Sequence, residues 1–402
     1  LRVMVANKNY NPNSPQQTQR LFAILGSKDI TTTDKIGRDK VSARHPLNQH
    51  ILKRIEDYRE GSKLRGSYFK ESIPWLGRCF YALNPHGTDT GRLASKESQF
   101  WCGLQIHNIP RDGDSEDDIT VKEAFDADTD FFFGEADYEQ AETRDTAHIT
   151  GDKKLLEKIS DPSIDFHGSN ASDFFGIPYE KIVKSTFDEE FQEWIHKTID
   201  KPLRDLSKRT NHGANYNMGE NVMVDTMGLA RVIKAKQLLG LPSAWKPAKV
   251  TAYLLERFAQ TYPVVRHDYQ EWIKTTVSTS GLLVGATGWT RRCFGSPKNN
   301  KRHLNSYVAH CPQSLNAMLL NQAYLKVFYE VYLPNSKDFK LCAQIHDSIL
   351  FQYRKGYEHL AWAVADCMVI PTPVTDIFGI SRVLRVPVAL KGNGTTWSNV
   401  ET

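Results

Sequence analysis

Apolar positions alternate with other residues on both sides of a short polar break near the end of the chain. Within the segment 341–353, LCAQIHDSILFQY, the apolar positions spaced by two are Leu341, Ala343, Ile345, Ile349, Phe351 and Tyr353. A period of two is typical of β-strands, whose successive side chains point to opposite faces. The pattern predicts a hairpin with His346, Asp347 and Ser348 at its tip.

A second apolar run, DFFFGEADY at 130–138, predicts a strand that ends at Asp137, with a helix after it. A carboxylate where a buried strand opens to a cleft is well placed to bind a metal ion, and the next turn projects Gln140 and Glu142. The alternative is that Asp137 is only the N-cap of the helix. The run alone does not choose between these two interpretations.

Most of the remaining pattern is helical. Helices are predicted at 47–70, over much of 139–240, and at 311–332, while 281–296 has the pattern of a hairpin. Helices that interrupt a small antiparallel sheet make the predicted fold class α+β.

One predicted helix, within 203–219, has polar and ring side chains at a constant spacing of four: Arg204, Lys208, His212 and Tyr216. Each step turns an α-helix by about 400°, so these side chains share one face. We interpret the face as cations that hold a triphosphate, followed by rings that pack against a base and sugar. A solvated polar face is the alternative. Gly213 in this helix costs about 1 kcal/mol relative to alanine, which suggests a close approach to the backbone.

Composition limits the class of protein. The chain has 402 residues, of which 40% are hydrophobic and 24% charged, which is typical of a soluble globular protein with more than one subdomain. It has no apolar run near the ~20 residues of a membrane helix and no signal segment. Its six cysteines are scattered without a CxxC pair, which argues against zinc and for reduced thiols in a cytoplasm.

The net charge of +4 hides an uneven distribution. Residues 111–145 contain fourteen Asp and Glu against three Lys and Arg, whereas 272–329 contain seven Lys and Arg and no acidic residue. A chance fluctuation is the alternative reading. An acidic zone and a basic zone in one chain indicate an enzyme that holds metal ions in one and nucleic acid in the other.

The polar break at 346–348 is not a hydrolytic triad, because adjacent residues of an extended chain point to opposite faces. A buried and unpaired Asp347 would be costly, so it needs a partner or a function. With Asp137 from a neighbouring strand, it could hold two Mg²⁺ ions ~3.5–4 Å apart.

Three of these stretches, in this order, resemble motifs A, B and C of the family A (DNA polymerase I-like) DNA polymerases. The family's first motif reads Asp-Tyr-Ser-Gln-Ile-Glu-Leu-Arg, and this chain has DYEQAETR at 137–144. The second places Arg, Lys, an aromatic residue and Tyr at steps of four, and the third is His-Asp-Glu, here HDS. Further segments resemble the family at 11–17, 57–68, 88–112, 165–171 and 394–397.

The resemblance implies a right-hand polymerase fold and a role for each matching residue. Asp137, Asp347 and the Tyr138 carbonyl would hold two Mg²⁺ ions. The residues implied in nucleotide binding are Arg204, Lys208, His212, Tyr216, Gln140, Glu142 and His167, with Lys208 also protonating the leaving group. Glu142, packed with Tyr216, would exclude a 2′-hydroxyl, and His167 would help neutralise the triphosphate. The residues implied in DNA binding are Arg92, Gln313, His346, Arg291 and Arg292.

This chain departs from the family at several positions. His212 replaces a Phe or Tyr, Asn217 replaces a Gly, and Ala309 stands where an Asn is expected. Ser348 replaces a carboxylate beside the metals. From the sequence alone, we expect Ser348→Glu to be tolerated.

The implied domains are a thumb remnant and palm entry at 1–70, palm at 71–150, fingers at 151–300 with the motif B helix near 202–218, and palm again at 301–402. The expected partners are primer–template DNA, dNTPs, an upstream 3′–5′ exonuclease and thumb portion, and replication accessory proteins, without a membrane. The divergent motifs favour a bacteriophage source, and the expected location is the cytoplasm of a bacterial or infected cell. A single-subunit RNA polymerase-like enzyme and a nucleic-acid-binding subunit with lost catalysis are the alternatives.

Overall fold

The computed structural model describes residues 10–69, 74–75, 77–96, 103–110, 120–190 and 192–400. The chain forms two compact units. The first unit comprises Leu1–Glu71, Ser163–Ala214 and Met218–Phe258, and the second comprises Ser72–Pro162, Asn215–Asn217 and Ala259–Thr402.

A four-stranded antiparallel sheet forms the centre of the second unit. Its strands lie in the order Phe339–Ile345, Ser348–Arg354, Phe131–Tyr138 and Val388–Gly394. We call Phe131–Tyr138 the central strand. It pairs with strands on both sides, and Ser348 lies directly opposite Asp137.

One face of the sheet is buried under helices. Ala136 of the central strand and Ile349 beside it are 0% exposed, and they belong to one core with the helices His310–Val327 and His359–Met368. Gly134 on this face makes room for a ring, because a Cβ there would lie 2.4 Å from Phe351. The close fit of helices and sheet fixes the strand ends in space.

The other face opens toward the end of the central strand. Phe133 is 4% exposed, Glu135 is half-buried and Asp137 is exposed. On this face, the strand therefore passes from the interior to a polar surface between Phe133 and Asp137.

Further elements complete the second unit. Its other helices are Ala141–Thr150, Lys153–Ser160, Tyr269–Ser280 and Lys301–Val308, with 3₁₀ turns at Ile106–Asn108 and Val121–Ala124 and π-helical turns at Val264–Asp268 and Phe328–Tyr332. Its short strand pairs are Pro74–Trp75 with Arg78–Cys79, Ala82–Asn84 with Ala94–Lys96, Leu282–Val284 with Thr290–Arg292, and Thr372–Thr375 with Ser381–Leu384.

The first unit is mainly helical. The helices that begin in it are Pro15–Ile24, Lys35–Arg44, Gln49–Ser67, Phe166–Phe175, Lys201–Asn215, Glu220–Met227, Leu229–Leu238 and Pro247–Thr261, with 3₁₀ turns at Pro46–Asn48 and Tyr179–Lys181. A hairpin of Val183–Asp188 and Glu193–Thr198 interrupts them. This hairpin is a local exception to the prediction that 139–240 is mostly helical.

Most predicted elements are present, with local corrections. The hairpin at 341–353 forms, but its turn is His346–Asp347, and Ser348 already belongs to the second strand. The motif B helix ends at Asn215, so Tyr216 follows the helix instead of lying on it. Residues 97–102 and 111–112 of the 88–112 segment lie outside the described residues. Among the residues that the structure describes, no helix is long and apolar enough to cross a membrane.

Candidate active site

Two aspartates meet at one end of the central sheet. Asp137 is exposed and is the second-last residue of the central strand. Asp347 lies in the adjoining hairpin turn, and its backbone carbonyl accepts a hydrogen bond from the Tyr138 amide at 3.2 Å. The helix that follows begins at Ala141, and its N-cap residue is Gln140. The alternative that Asp137 only caps this helix is therefore wrong.

The backbone around this end is held in a conformation that most residues avoid. Gln140 has φ of 54°, Asn217 of 55° and His346 of 52°, all in the left-handed region. Such conformations cost on the order of 1–3 kcal/mol each and persist where the surrounding structure fixes them, often at functional sites.

Asp347 is oriented by two neighbours. The Asn316 side-chain amide donates to its Oδ1 at 2.9 Å, and Arg92 Nη2 lies 3.7 Å from the same oxygen. Burial raises the pKa of Asp347, the Glu142 charge adds to the rise, and the Arg92 charge opposes it. The Asp347 carboxylate is thus oriented, but Arg92 does not fully neutralise it, because Arg92 also pairs with Glu142.

Glu142 lies between a cation and a phenol. Arg92 Nη2 donates to its Oε1 at 2.6 Å, and the Tyr216 hydroxyl interacts with Glu142 and Gln313. Burial and then the Glu142 charge raise the pKa of Tyr216, which remains a neutral donor. The structure therefore brings Arg92, Glu142, Tyr216 and Gln313 together, whereas the resemblance implied only that Glu142 packs with Tyr216.

A further carboxyl group lies beneath this cluster. Asp145 is 0% exposed, and neither of its carboxyl oxygens has a hydrogen-bond partner among the residues that the structure describes. Burial, followed by the charges of Asp347 and Glu142, raises its pKa well above the usual value. A raised pKa favours the protonated, neutral form of Asp145, so the negative charge here comes from Asp347 and Glu142, which both contact Arg92.

Two carboxylates, Asp347 and Glu142, share the guanidinium of Arg92, and such a site suits a hard divalent cation. Over the part of the chain that the structure describes, no group of three or more His, Cys, Asp and Glu side chains is arranged to hold a metal ion. Mg²⁺ commonly uses only one or two carboxylates and completes its six oxygen ligands with water and substrate phosphates. The oxygen donors of Asp137, Asp347 and the Tyr138 carbonyl fit that pattern.

In the first unit, the predicted cations lie along the helix Lys201–Asn215. Arg204 is half-buried, whereas Lys208 and His212 are exposed. Arg204 makes a bidentate contact with Asp165, from Nε to Oδ1 at 2.9 Å and from Nη2 to Oδ2 at 2.7 Å. This fork fixes the guanidinium and lowers the pKa of Asp165 against the effect of burial.

His167 differs from its expected role. Burial, with the Arg204 charge nearby, lowers the pKa of its ring to about 4. The ring is neutral at pH 7, so it can form a hydrogen bond but brings no positive charge to a triphosphate. The close approach inferred at Gly213 is also explained within the chain, because a Cβ there would lie 3.3 Å from the Met218 sulfur.

The residues implied in DNA binding have different environments. His346 is exposed, with its ring centroid 6.0 Å from that of His107. Arg291 donates to Ser306 at 2.9 Å and pairs with Asp89 at 2.9 Å, so its guanidinium is engaged within the protein. Arg292 is exposed.

Comparison with known proteins assigns the chain to a family. A sequence model described as DNA polymerase family A matches residues 2–397. The chain belongs to DNA polymerase family A. It is 26% identical over 374 residues to the thermostable DNA polymerase I of Thermus aquaticus, which covers 87% of this chain and 38% of that protein. It is 24% identical over 413 residues to DNA polymerase I of Geobacillus stearothermophilus, which covers 98% of this chain and 40% of that protein.

These curated relatives are much longer than the matched region, and the chain spans about two fifths of their length. Among solved structures, the POL domain of Pol1 from M. smegmatis, in complex with DNA primer-template and dNTP, matches with a TM-score of 0.74 and 18% identity. The match covers 99% of this chain and 63% of that one. It confirms the predicted fold class, an α+β right-hand polymerase fold.

Family membership makes one substitution informative. Asn217, which stands for a family Gly, adopts the left-handed conformation that Gly and Asn tolerate best. Its amide donates to Asn305 at 2.9 Å, and its oxygen accepts from Arg266. The side chain therefore adds contacts that a Gly could not make.

Sequence reasoning missed Asn316 and Asp145. Asn316 is 1% exposed and holds Asp347, and it lies in the helix His310–Val327, three residues after Gln313. That spacing puts both amides on one helix face, which is the signal that could have identified it. Asp145 had no such signal, because its role depends on burial.

Proposed function

We propose that this chain is the polymerase part of a longer replicative DNA polymerase, which adds dNTPs to a primer 3′-hydroxyl on a DNA template. The observation that supports this most directly is the meeting of Asp137 and Asp347 at the end of the central sheet in a family A chain. The carboxylates of Asp347 and Glu142, which share the Arg92 guanidinium, would favour binding of divalent cations and of the phosphates they accompany.

Asp137, Asp347 and the Tyr138 carbonyl would hold two Mg²⁺ ions. When bound, Mg²⁺ at such a site lowers the pKa of an attacking hydroxyl and neutralises charge on the phosphates and on the pyrophosphate leaving group. The protein's part is to hold the two carboxylates rigidly, which the strand register and the Asn316 hydrogen bond do.

The helix Lys201–Asn215 would bind the nucleotide. Arg204 and Lys208 would contact the triphosphate, and Lys208 would protonate the leaving group as a general acid. The His212 ring would pack on the base or sugar, while Gln140 supports the phosphates. His167 would add a neutral hydrogen bond.

Glu142 and Tyr216 would set the choice of sugar. Their contact would close the space where a ribonucleotide carries its 2′-hydroxyl. Arg92 and Gln313 would contact acceptors in the minor groove that all correct base pairs share, which checks pairing without reading sequence.

The remaining DNA contacts and partners are part of the same proposal. His346 would touch the primer terminus, and the basic 272–329 segment, chiefly through Arg292, would follow template phosphates. An upstream exonuclease and thumb portion, accessory proteins and a cytoplasmic setting complete the proposal. The bacteriophage source stays a prediction, since the relatives named above are bacterial proteins.

Primer extension with Mg²⁺ and separate dNTP or rNTP pools tests this function. We expect extension with dNTPs and none with Asp137→Asn. Efficient extension with rNTPs would instead support an RNA polymerase-like enzyme. Tight DNA binding without any extension would support a nucleic-acid-binding subunit and overturn the proposal.

A further inference from the structure

Ser348 has a specific partner on the neighbouring strand. Its hydroxyl lies 2.9 Å from Glu135 Oε1 and 3.0 Å from the Ile345 carbonyl, both of which can only accept its single proton. Ser348 is 4% exposed, so its hydroxyl depends on these protein acceptors. The contact ties Glu135 to the strand that follows Asp347.

The strand register puts this pair on the same face as Asp137. Glu135 and Asp137 are two residues apart in the central strand, so their side chains leave one face of the sheet. Ser348 lies directly opposite Asp137 and shares that face, whereas Ala136 points into the core. Glu135 therefore stands on the polar side of the sheet beside the proposed cation site.

A structural role is the alternative for Glu135. Lys391 lies opposite Glu135 on the strand at the other side, and a cross-strand pair of opposite charges would stabilise the sheet modestly. Such a pair would not require a hydrogen bond from Ser348. It would also leave the affinity for a cation at Asp137 and Asp347 unchanged, which separates the two roles experimentally.

We propose that Glu135, oriented by Ser348, is a positioning residue of the cation site, and that it supplies from the central strand the negative charge that the third family motif carries at position 348. The inference rests on the proposed function. Glu135 would act through the ligands already named, by strengthening the field at Asp137 and by anchoring water around the ions.

The test measures Mn²⁺ binding by electron paramagnetic resonance, with a chain-terminated primer–template and dNTP so that no turnover occurs. Glu135→Gln removes the charge but can still accept the Ser348 hydrogen bond, and we expect it to weaken Mn²⁺ binding about tenfold. Glu139→Gln is the matched control, because Glu139 is an exposed Glu two residues after Asp137. The Mn²⁺ affinity of this variant should equal that of the unaltered chain.

Wild-type affinity in Glu135→Gln would overturn the inference. Failure of the proposed function has a different signature: the unaltered chain would bind no Mn²⁺, or Asp137→Asn would bind it equally well. Melting temperatures of all variants, measured without metal, report any loss of folding separately.

Exchanging the two side chains sharpens the test. Ser348→Glu alone puts two carboxylates in contact, so we now expect impaired folding or activity, in contrast to the tolerance expected from sequence. The double variant Glu135→Ser with Ser348→Glu restores one carboxylate and one hydroxyl, and its Mn²⁺ affinity should recover to within about threefold of the unaltered chain. A double variant that binds no better than Glu135→Ser would count against the inference, and if the double variant does not fold, Glu135→Gln decides alone.

Discussion

The sheet end with its carboxylates and the helix with its cations are built in opposite ways. Asp137 and Asp347 are 210 positions apart in sequence and come together only through strand pairing. Arg204, Lys208 and His212 share a face because one helix turns by a fixed angle per residue. The sheet end therefore depends on tertiary structure, whereas the helix face depends on local structure.

The two regions should also respond differently to substitution. Around Asp347, the side chains form one connected group, in which Arg92 contacts both Asp347 and Glu142. Along the helix, Lys208 is exposed, whereas Arg204 is fixed by the bidentate contact with Asp165. We expect coupled effects at the sheet end and separable effects on the helix.

The largest expected effect is at the sheet end. Asp347→Asn should lower the rate of single-nucleotide extension about a thousandfold, since a cation site contributes several kcal/mol to the transition state. Asp130→Asn, at an exposed site just before the central strand, is the matched control and should extend normally. Similar rates for both variants would contradict the cation site.

The helix should show the next effect. Lys208→Ala should reduce the extension rate about a hundredfold through loss of a general acid, with an unchanged melting temperature. Arg209→Ala is the control, because Arg209 is exposed on the same helix but on another face. An equal loss in both would mean that charge, not position, matters on this helix.

Sugar selection should change less. Glu142→Ala opens space beside Tyr216 and should lower the preference for dNTPs over rNTPs about tenfold, measured as a ratio of kcat/KM values. Glu142→Gln keeps the volume and should retain the preference. A loss of selectivity in Glu142→Gln would point to charge and not to exclusion by size.

Each of the two units also contains a neutral histidine, its pKa lowered by burial, that links stability to pH. His310, in the second unit, is 0% exposed, and burial lowers its pKa to about 4, as it does for His167 in the first unit. Between pH 6.5 and 4, the unfolded chain binds more protons, so stability should fall as pH falls through this window. The loss is about 3 kcal/mol at most for each ring.

His310→Gln should flatten the dependence of melting temperature on pH over this window. His167→Gln should flatten it by a similar amount, because burial lowers the pKa of His167 to about 4 as well. An unchanged slope in His310→Gln would show that its ring is protonated without cost.

The same contrast explains what could be predicted from sequence. The spacing of Arg204, Lys208 and His212 was visible because it is local, and the resemblance supplied Asp137, Asp347 and Glu142. The contact of Ser348 with Glu135 was not visible, because it requires the strand register. The hairpin Val183–Asp188 and Glu193–Thr198 was missed because its second strand is exposed at almost every position and shows no apolar alternation.

The environment of His167 was hidden for a related reason. Its type and position fitted a cationic role, but burial next to Arg204 decides its protonation. Charge state at such positions follows from the fold and not from the motif.

The left-handed backbone at Gln140 and His346 limits which substitutions these two positions can accept. At these positions, a library of all twenty residues should be filtered first by backbone geometry, so that Gly, Asn and Asp survive while Val, Ile and Thr are lost, whatever they would contact. The residue types that survive there would therefore reflect the backbone conformation. A strong preference for one residue at either position would not by itself identify a ligand.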